Sequence, residues 1–413
     1  MRVLHVNKFL YRRGGAEAYM EDLAALQVSA GHTVAFFGMA HPLNTHLQYA
    51  AHFPSYIEME PAPSTMVGRV RGVARMINST SASRGMAAVL DDFKPDVVHL
   101  HNIYHQLSPS VLRPVGRRNL PAVMTLHDYK LACPSYQFLD HGNLCQACLG
   151  GHFQNAIRRR CKDDSLGASV VVATELFIHT RTGAYAPVRL FICPSRFLAG
   201  RMKAAGVFPE RLRQVPHFVD TTGMAVKDSA GGNILIAGRL SREKGVDVAI
   251  RAVGLLDGAV LDVAGTGPHE ERLRSLADEV APGRVRFHGL RSKEEVQALM
   301  RAAAVVAVPS LWYENQPMVV LEALAAGVPV VGSALGGLPE LIEPGATGAL
   351  APPGDPVALA AALRPFVTSP AHGFAMRDRA RQYILSEFAP ERHLERIHAL
   401  YAEAARPPQR AAA

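Results

Sequence analysis

The stretch Asn233-Ile234-Leu235-Ile236-Ala237-Gly238-Arg239-Leu240-Ser241-Arg242-Glu243-Lys244-Gly245 passes from a short apolar run into a charged loop bounded by glycines. A run this short, closed by glycine, reads as a buried strand, and the pattern from Val246 onward reads as a helix. The same strand–loop–helix unit recurs in both directions along the chain. Candidate strands lie at 2–6, 33–37, 96–100, 122–126 and 189–193, then at 233–237, 260–264, 285–288, 305–308 and 328–331. Strands alternating with helices predict parallel, doubly wound sheets, and 413 residues are too many for one such core. The predicted α/β organisation is a first domain over 1–222, a small, polar, Gly-rich linker over 223–232 and a second domain over 233–388. A helix over 389–406 and a Pro/Ala-rich tail over 407–413 follow. Open α/β sheets bind ligands at the C-terminal edges of their strands, so the expected site is the cleft between the two domains.

Hydrophobic residues make up 48% of the chain and aromatics only 7%, an aliphatic interior that suits helix-covered parallel sheets. A formal net charge of +8 favours an anionic partner. No basic tract is interleaved with aromatics, which sets nucleic acid aside. No apolar run approaches a membrane span, and Met1-Arg2-Val3-Leu4-His5-Val6 enters a strand pattern without signal-peptide features. The expected location is cytoplasmic.

Two segments carry groups suited to one chemistry. Arg239 and Lys244 stand in a Gly-bounded loop at a strand end, where a planar fork of donors and a compact charge can hold a diphosphate. A solvated basic loop is the plain alternative. After the strand ending at Val308, Glu314 is expected at the entrance of a helix over 315–326, with Glu322 about two turns in. Two carboxylates can accept hydrogen bonds from the vicinal hydroxyls of a sugar and a ribose. The helix start at Asn315, Gln316, Pro317 and Met318 presents backbone N–H groups to negative charge. In isolation, a solvated Glu322 and a helix-entry Glu314 are the plainer reading.

Taken in order, these pieces resemble the retaining glycosyltransferases of sequence family 4. The resemblance rests on Gly238 through Gly245, Ala264-Gly265-Thr266-Gly267-Pro268, Phe287-His288-Gly289, the E-x7-E spacing of Glu314 and Glu322, Gly336-Gly337-Leu338-Pro339-Glu340 and Gly345-Ala346-Thr347-Gly348. The first half agrees with less force, through Gly14-Gly15 between the first strand and helix and through Thr125-Leu126-His127-Asp128. Where the family more often has Asn-Gly, this chain has His217-Phe218, and no role is carried over to those two.

The resemblance implies a GT-B fold: two Rossmann-like domains facing across a cleft, with a C-terminal helix crossing back to the first. It implies a UDP- or GDP-sugar donor, retention of anomeric configuration, a glycan or lipid-linked acceptor and no catalytic divalent metal. Arg239 and Lys244 would neutralise the departing diphosphate. Glu314 would hold a hydroxyl of the transferred sugar and Glu322 the ribose. His127 looks like the family's histidine at the donor sugar, and a packed strand-end histidine is the alternative. His101 is weaker, because His99 and His105 show that histidine is frequent here. The rival readings are a sugar-nucleotide epimerase on the same fold and a non-catalytic nucleotide-sugar-binding protein.

Two features fall outside this pattern. Cys133, Cys145, Cys148 and Cys161 follow C-x11-C-x2-C-x12-C just after His127-Asp128. A similar insertion marks a subset of bacterial surface-polysaccharide transferases. Four soft ligands including a C-x2-C pair suit structural zinc; an iron–sulfur cluster, disulfides and free thiols are the alternatives. The segment 66–76 sets Arg69, Arg71 and Arg75 among apolar residues, which suits peripheral contact with an anionic inner membrane face. An ordinary solvated helix face is the favoured reading there.

Overall fold

The computed structural model describes residues 1–59 and 64–406; the tail expected over 407–413 lies outside them. The first half contains β1 (Arg2–Val6), β2 (Thr33–Phe37), β3 (Val97–Leu100), β4 (Ala122–Thr125), a small hairpin of β5 (Leu139–Asp140) and β6 (Asn143–Leu144), β7 (Leu190–Cys193) and β8 (Leu212–Gln214). The second contains β9 (Asn233–Ala237), β10 (Leu261–Ala264), β11 (Val285–Gly289), β12 (Ala303–Val308), β13 (Val330–Ser333) and β14 (Gly348–Ala351).

Two six-stranded parallel sheets result, ordered β2-β1-β3-β4-β7-β8 and β11-β10-β9-β12-β13-β14. The strand order reverses between β1 and β3 in one sheet and between β9 and β12 in the other. Those reversals open crevices at the C-terminal strand edges. β1 lies in register with both neighbours, Val3 opposite Val34 and Val97. Central strands such as β3, β4, β7, β12 and β13 are buried along their whole length, as helix-covered parallel sheets require.

Two expectations need correction. β8 and β14 were not anticipated, because Leu-Arg-Gln and Gly-Ala-Leu-Ala carry little β-propensity and sit at sheet edges. The helix expected over 315–326 begins only at Met318 (Met318–Ala325), with Pro317 as its N-cap. A residue preceding proline is pushed out of the α region, so the helix does not reach back to Gln316 and Glu314 stands on a loop ahead of it. Lys227, within the expected linker, is 1% exposed and donates to the carbonyl of Arg301 at 3.1 Å.

The last helix, Pro390–Ala405, returns to the first domain. Ile397, Leu400, Tyr401 and Ala404 pack with Val3, Val97, Val123 and Ile192 beneath the first sheet. Burial of each large aliphatic side chain there contributes about 1.5–3 kcal/mol.

Candidate functional site

A cavity of about 620 Å³ lies between the C-terminal strand edges of the two sheets. Its first-domain wall includes Gly14 and Gly15, at the start of the helix Gly15–Ser29, and His127 just beyond β4. Its second-domain wall includes Gly238, Arg239 and Lys244 after β9, and Glu314, Asn315, Gln316, Pro317 and Met318 after β12. Both switch points thus face one cavity, and the N-termini of two helices border it. Aligned backbone N–H groups there carry partial positive charge.

Glu314 is 4% exposed and accepts from Lys244 Nζ at 2.7 Å and Ser310 Oγ at 2.7 Å. Burial alone would raise its pKa, but the Lys244 charge and these hydrogen bonds hold it below the usual carboxylate value. Lys244 Nζ also lies 5.2 Å from the centre of the Trp312 ring. Arg239 is largely exposed and pairs with Glu243 at 2.7 Å, while the Ser241 hydroxyl donates to the same carboxylate oxygen. The cations at this strand edge are therefore held by carboxylates and remain open toward the cavity.

Other residues singled out in the sequence stand behind the wall. A Cβ on Gly265 would lie 1.9 Å from the Gly238 carbonyl oxygen, and one on Gly267 would lie 2.3 Å from that of Leu240. These glycines let the second loop pack flat against the cationic loop; their part is close approach. His288 does not line the cavity and bonds Asp262 at 2.7 Å. Glu322 is partly buried one layer out, and burial raises its pKa. No hydrogen bond or ion pair engages its carboxylate among the described residues.

Asn315 and Gln316 act differently from the expected backbone donors. Asn315 accepts from Ser195 Oγ at 2.7 Å and donates to the Leu126 carbonyl at 3.1 Å. Gln316 Oε1 accepts from the His217 backbone N–H at 2.7 Å. Their side chains pin the second domain to the first. Glu340 adds to this join, accepting from the backbone N–H groups of Arg196 and Phe197 at 2.8 and 2.6 Å at the start of the helix Arg196–Ala204.

The first-domain wall contains groups that the motifs missed. His217, assigned no role from sequence, lines the cavity and stacks 5.4 Å from His127. Arg13, Glu17, Asn102 and Asp128 also line it. His127 Nε2 bonds His101 Nδ1 at 3.1 Å, and burial lowers the His127 pKa to about 3, so its ring is neutral. Below the loop after β4, Lys130 donates to Glu175 at 2.7 Å, with the two side chains 2% and 0% exposed. His105 faces the same carboxylate at 3.3 Å.

The insertion is better packed than its composition suggested. Cys148, Phe153, Ala156, Ala173 and Leu176 form a small apolar cluster, and Phe138 and Cys133 join the main core. All five cysteines of the chain are free thiols. Cys133, Cys145, Cys148 and Cys161 line one small cavity of about 10 Å³. Among the described residues, only His5, His99 and His101 bring three ligand atoms within 4.8 Å of one another. No three of the four sulfurs therefore lie within 4.8 Å of one another, whereas a tetrahedral zinc with Zn–S bonds of about 2.3 Å sets its sulfurs ~3.8 Å apart. From this hairpin, Gln146 Nε2 donates to the Tyr313 hydroxyl at 2.7 Å, one residue from Glu314.

The family model described as Glycosyltransferase Family 4 matches residues 13–222, and that described as Glycosyl transferases group 1 matches 231–369. D-inositol 3-phosphate glycosyltransferase 1 of Catenulispora acidiphila is 30% identical over 346 residues, 78% of this chain and 74% of that protein. The chain belongs to glycosyltransferase family 4. Amylovoran biosynthesis glycosyltransferase AmsK of Erwinia amylovora is 38% identical over 140 residues, 32% of this chain and 34% of AmsK. In most of the curated relatives the match spans less than half of their length. Among solved structures, sucrose-phosphate synthase from Thermosynechococcus elongatus superposes with a TM-score of 0.72 at 21% identity, covering 97% of this chain and 98% of the other. Anabaena HepE in complex with UDP gives 0.70 at 19%, covering 98% and 100%. The architecture of this family 4 member is accordingly GT-B.

Proposed function

We propose that the chain transfers a sugar from a UDP- or GDP-linked donor to a glycan or lipid-linked acceptor, with retention of anomeric configuration. The observation that carries this reading is the convergence of Arg239, Lys244 and two helix N-termini on one cavity of about 620 Å³. Its volume lies within the usual range for small-molecule sites. HepE, which shares the fold, has been solved with UDP and with UDP-glucose, which supports a nucleotide-sugar donor here.

In this reading Arg239 and Lys244 stabilise negative charge as the nucleotide diphosphate departs, and no catalytic divalent metal is needed. Glu314, buried beside Lys244, orients a hydroxyl of the transferred sugar. Glu322 serves the ribose hydroxyls, its carboxylate being unengaged among the described residues. His127 faces the sugar. Gly14, Gly15 and the helix behind them border the acceptor side. A family of transferases does not favour the epimerase reading. The test is a thermal-shift screen against nucleotide sugars: a UDP- or GDP-sugar should raise the unfolding temperature, and less so in Lys244→Ala. No shift with any nucleotide sugar would remove the proposal.

The four cysteines are proposed to close on one structural zinc, the chemistry of the set and its shared cavity supporting this and the wide sulfur spacing requiring contraction on binding. Peripheral membrane contact is proposed on a different observation. On the helix Met66–Ile77, Met66, Val67 and Val70 are 61–73% exposed, and Leu166, Val170 and Phe177 are 40–53% exposed on the neighbouring helix Leu166–Arg181. Arg75, one of the three arginines of that segment, is turned inward and donates to the carbonyls of Gln106 and Ser55 at 2.6 and 2.7 Å. No described helix is long and apolar enough to cross a membrane. Flotation with anionic vesicles should be lost in Val67→Asp/Val70→Asp; flotation unchanged by these substitutions would oppose the contact.

A further inference from the structure

His5 on β1, His99 on β3 and His101 just after β3 are fully buried, and one nitrogen of each lies within 4.8 Å of the others. Such a group would suit a cation, but every ring nitrogen of the three already has a hydrogen-bond partner. His101 Nδ1 meets His127 Nε2 at 3.1 Å, and His101 Nε2 meets His5 Nδ1 at 3.0 Å. His5 Nε2 meets Gln27 Oε1 at 2.8 Å, and Gln27 Nε2 donates to the Tyr401 hydroxyl at 3.0 Å. His99 Nδ1 meets that hydroxyl at 2.7 Å, and His99 Nε2 meets Thr125 Oγ1 at 2.8 Å. Separately, the Tyr19 hydroxyl meets His393 Nε2 at 2.9 Å, and His393 Nδ1 meets the Pro216 carbonyl at 2.8 Å.

The Gln27 carboxamide sets the direction of the links toward the cleft: its nitrogen donates to the Tyr401 hydroxyl, so its oxygen, which only accepts, faces His5 Nε2. Burial lowers the pKa of His393 to about 3, of His5 to about 4, and of His99 and His101 well below the usual value, so each ring is neutral with a single N–H. The Tyr401 hydroxyl accepts from the amide nitrogen of Gln27 and donates to His99 Nδ1, which leaves the His99 proton on Nε2, facing Thr125. The Gln27 oxygen accepts from His5 Nε2, His5 Nδ1 from His101 Nε2, and His101 Nδ1 from His127 Nε2.

We propose that this relay fixes the active-site His127 as the Nε2–H tautomer, leaving the Nδ1 lone pair to accept a hydrogen bond from a hydroxyl of the donor sugar. Gln27 and Tyr401 are positioning residues: neither lines the cleft, and Tyr401 comes from the helix Pro390–Ala405 that crosses back from the second domain. The role of the lone pair rests on the transferase reading; the tautomer does not. Specificity follows from it. A bare nitrogen recognises a sugar position bearing a hydroxyl donor and leaves an O-methyl group or a carboxylate at that position without a partner.

The test is long-range proton–nitrogen correlation NMR on full-length protein labelled with 15N-histidine, with His127 assigned by His127→Gln. The wild type at pH 7 should show His127 neutral with its proton on Nε2. A proton on Nδ1, or an imidazolium, would overturn the relay whether or not transfer is ever detected. Gln27→Glu keeps an acceptor for His5 and should preserve the His127 spectrum. Gln27→Met removes it and should mix the tautomers, lowering kcat about tenfold with UDP or GDP affinity unchanged. An equal loss in both variants, with the His127 spectrum unmoved, would show that Gln27 only packs. Should Gln27→Met fail to fold, Tyr401→Phe makes the same test at the next link.

Discussion

Gly337→Ala isolates the placement of the Glu314 loop without touching a charged group. Gly337 has ordinary αR backbone angles, so alanine brings no conformational penalty. Its Cβ, however, would sit 1.8 Å from the Asn315 carbonyl oxygen and 3.3 Å from that of Glu314. The loop must retreat by roughly 1.2 Å before the first contact reaches a tolerable 3.0 Å. The same loop carries Glu314, and through Asn315 and Gln316 it joins the two domains. A misplacement of about 1 Å costs on the order of a hundredfold in rate, or about 2.7 kcal/mol in the barrier. The assay is kcat/KM for sugar transfer, with circular dichroism and a thermal melt confirming the fold. Gly200→Ala is the control: it sits in the helix Arg196–Ala204 with nothing within 4 Å of the added carbon and should be neutral or slightly stabilising. Wild-type kcat/KM in a folded Gly337→Ala protein would refute the claim that this glycine sets the position of Glu314.

Transfer should survive brief EDTA treatment, whereas Lys244→Ala should lower kcat/KM by about 100–1,000-fold; rescue of an EDTA-inactivated enzyme by magnesium or manganese would contradict this. Glu175→Gln should destabilise the protein by about 3–5 kcal/mol, since it leaves the Lys130 ammonium buried without its counter-charge. Lys130 and His105 hold the Glu175 pKa well below its unfolded value of about 4.3 against the opposing effect of burial. The stabilisation is therefore present above that value and lost progressively as pH falls from it toward the much lower folded-state value, so urea midpoints should show wild type keeping its advantage over Glu175→Gln down to about pH 5 and losing it steadily below. Freshly purified, unchelated protein should contain close to one equivalent of zinc that Cys145→Ser releases; less than about a tenth of an equivalent of zinc or iron would leave the four thiols without a metal role.

The fold was legible because central parallel strands are buried on both faces and their residues must be apolar. Asn233-Ile234-Leu235-Ile236-Ala237 announces itself, whereas Leu212-Arg213-Gln214 at an edge satisfies no such demand. Arg239, Lys244 and Glu314 were legible as charges placed at strand ends, where only a ligand or a partner charge would compensate them. Gly265 and Gly267 were visible as glycines, but their reason, close approach to the carbonyls of Gly238 and Leu240, is a tertiary fact. Asn315 and Gln316 misled because a side chain reaching another domain leaves no local pattern. His99 and His101 misled similarly: Tyr401 meets His99 across 302 positions of sequence, a distance no periodicity spans. The apolar face of Met66, Val67 and Val70 was read as an ordinary helix side, since sequence alone does not say which face a helix buries.

The central claim is that a nucleotide sugar bound between Lys244 and Glu314 gives up its sugar with retained configuration. The most direct measurement is proton NMR of the anomeric centre during turnover of the UDP- or GDP-sugar selected by the thermal-shift screen. An α-linked donor should give an initial product that is α-linked, with the signal absent in Lys244→Ala. A β-linked initial product, or an undiminished signal in Lys244→Ala, would contradict the account.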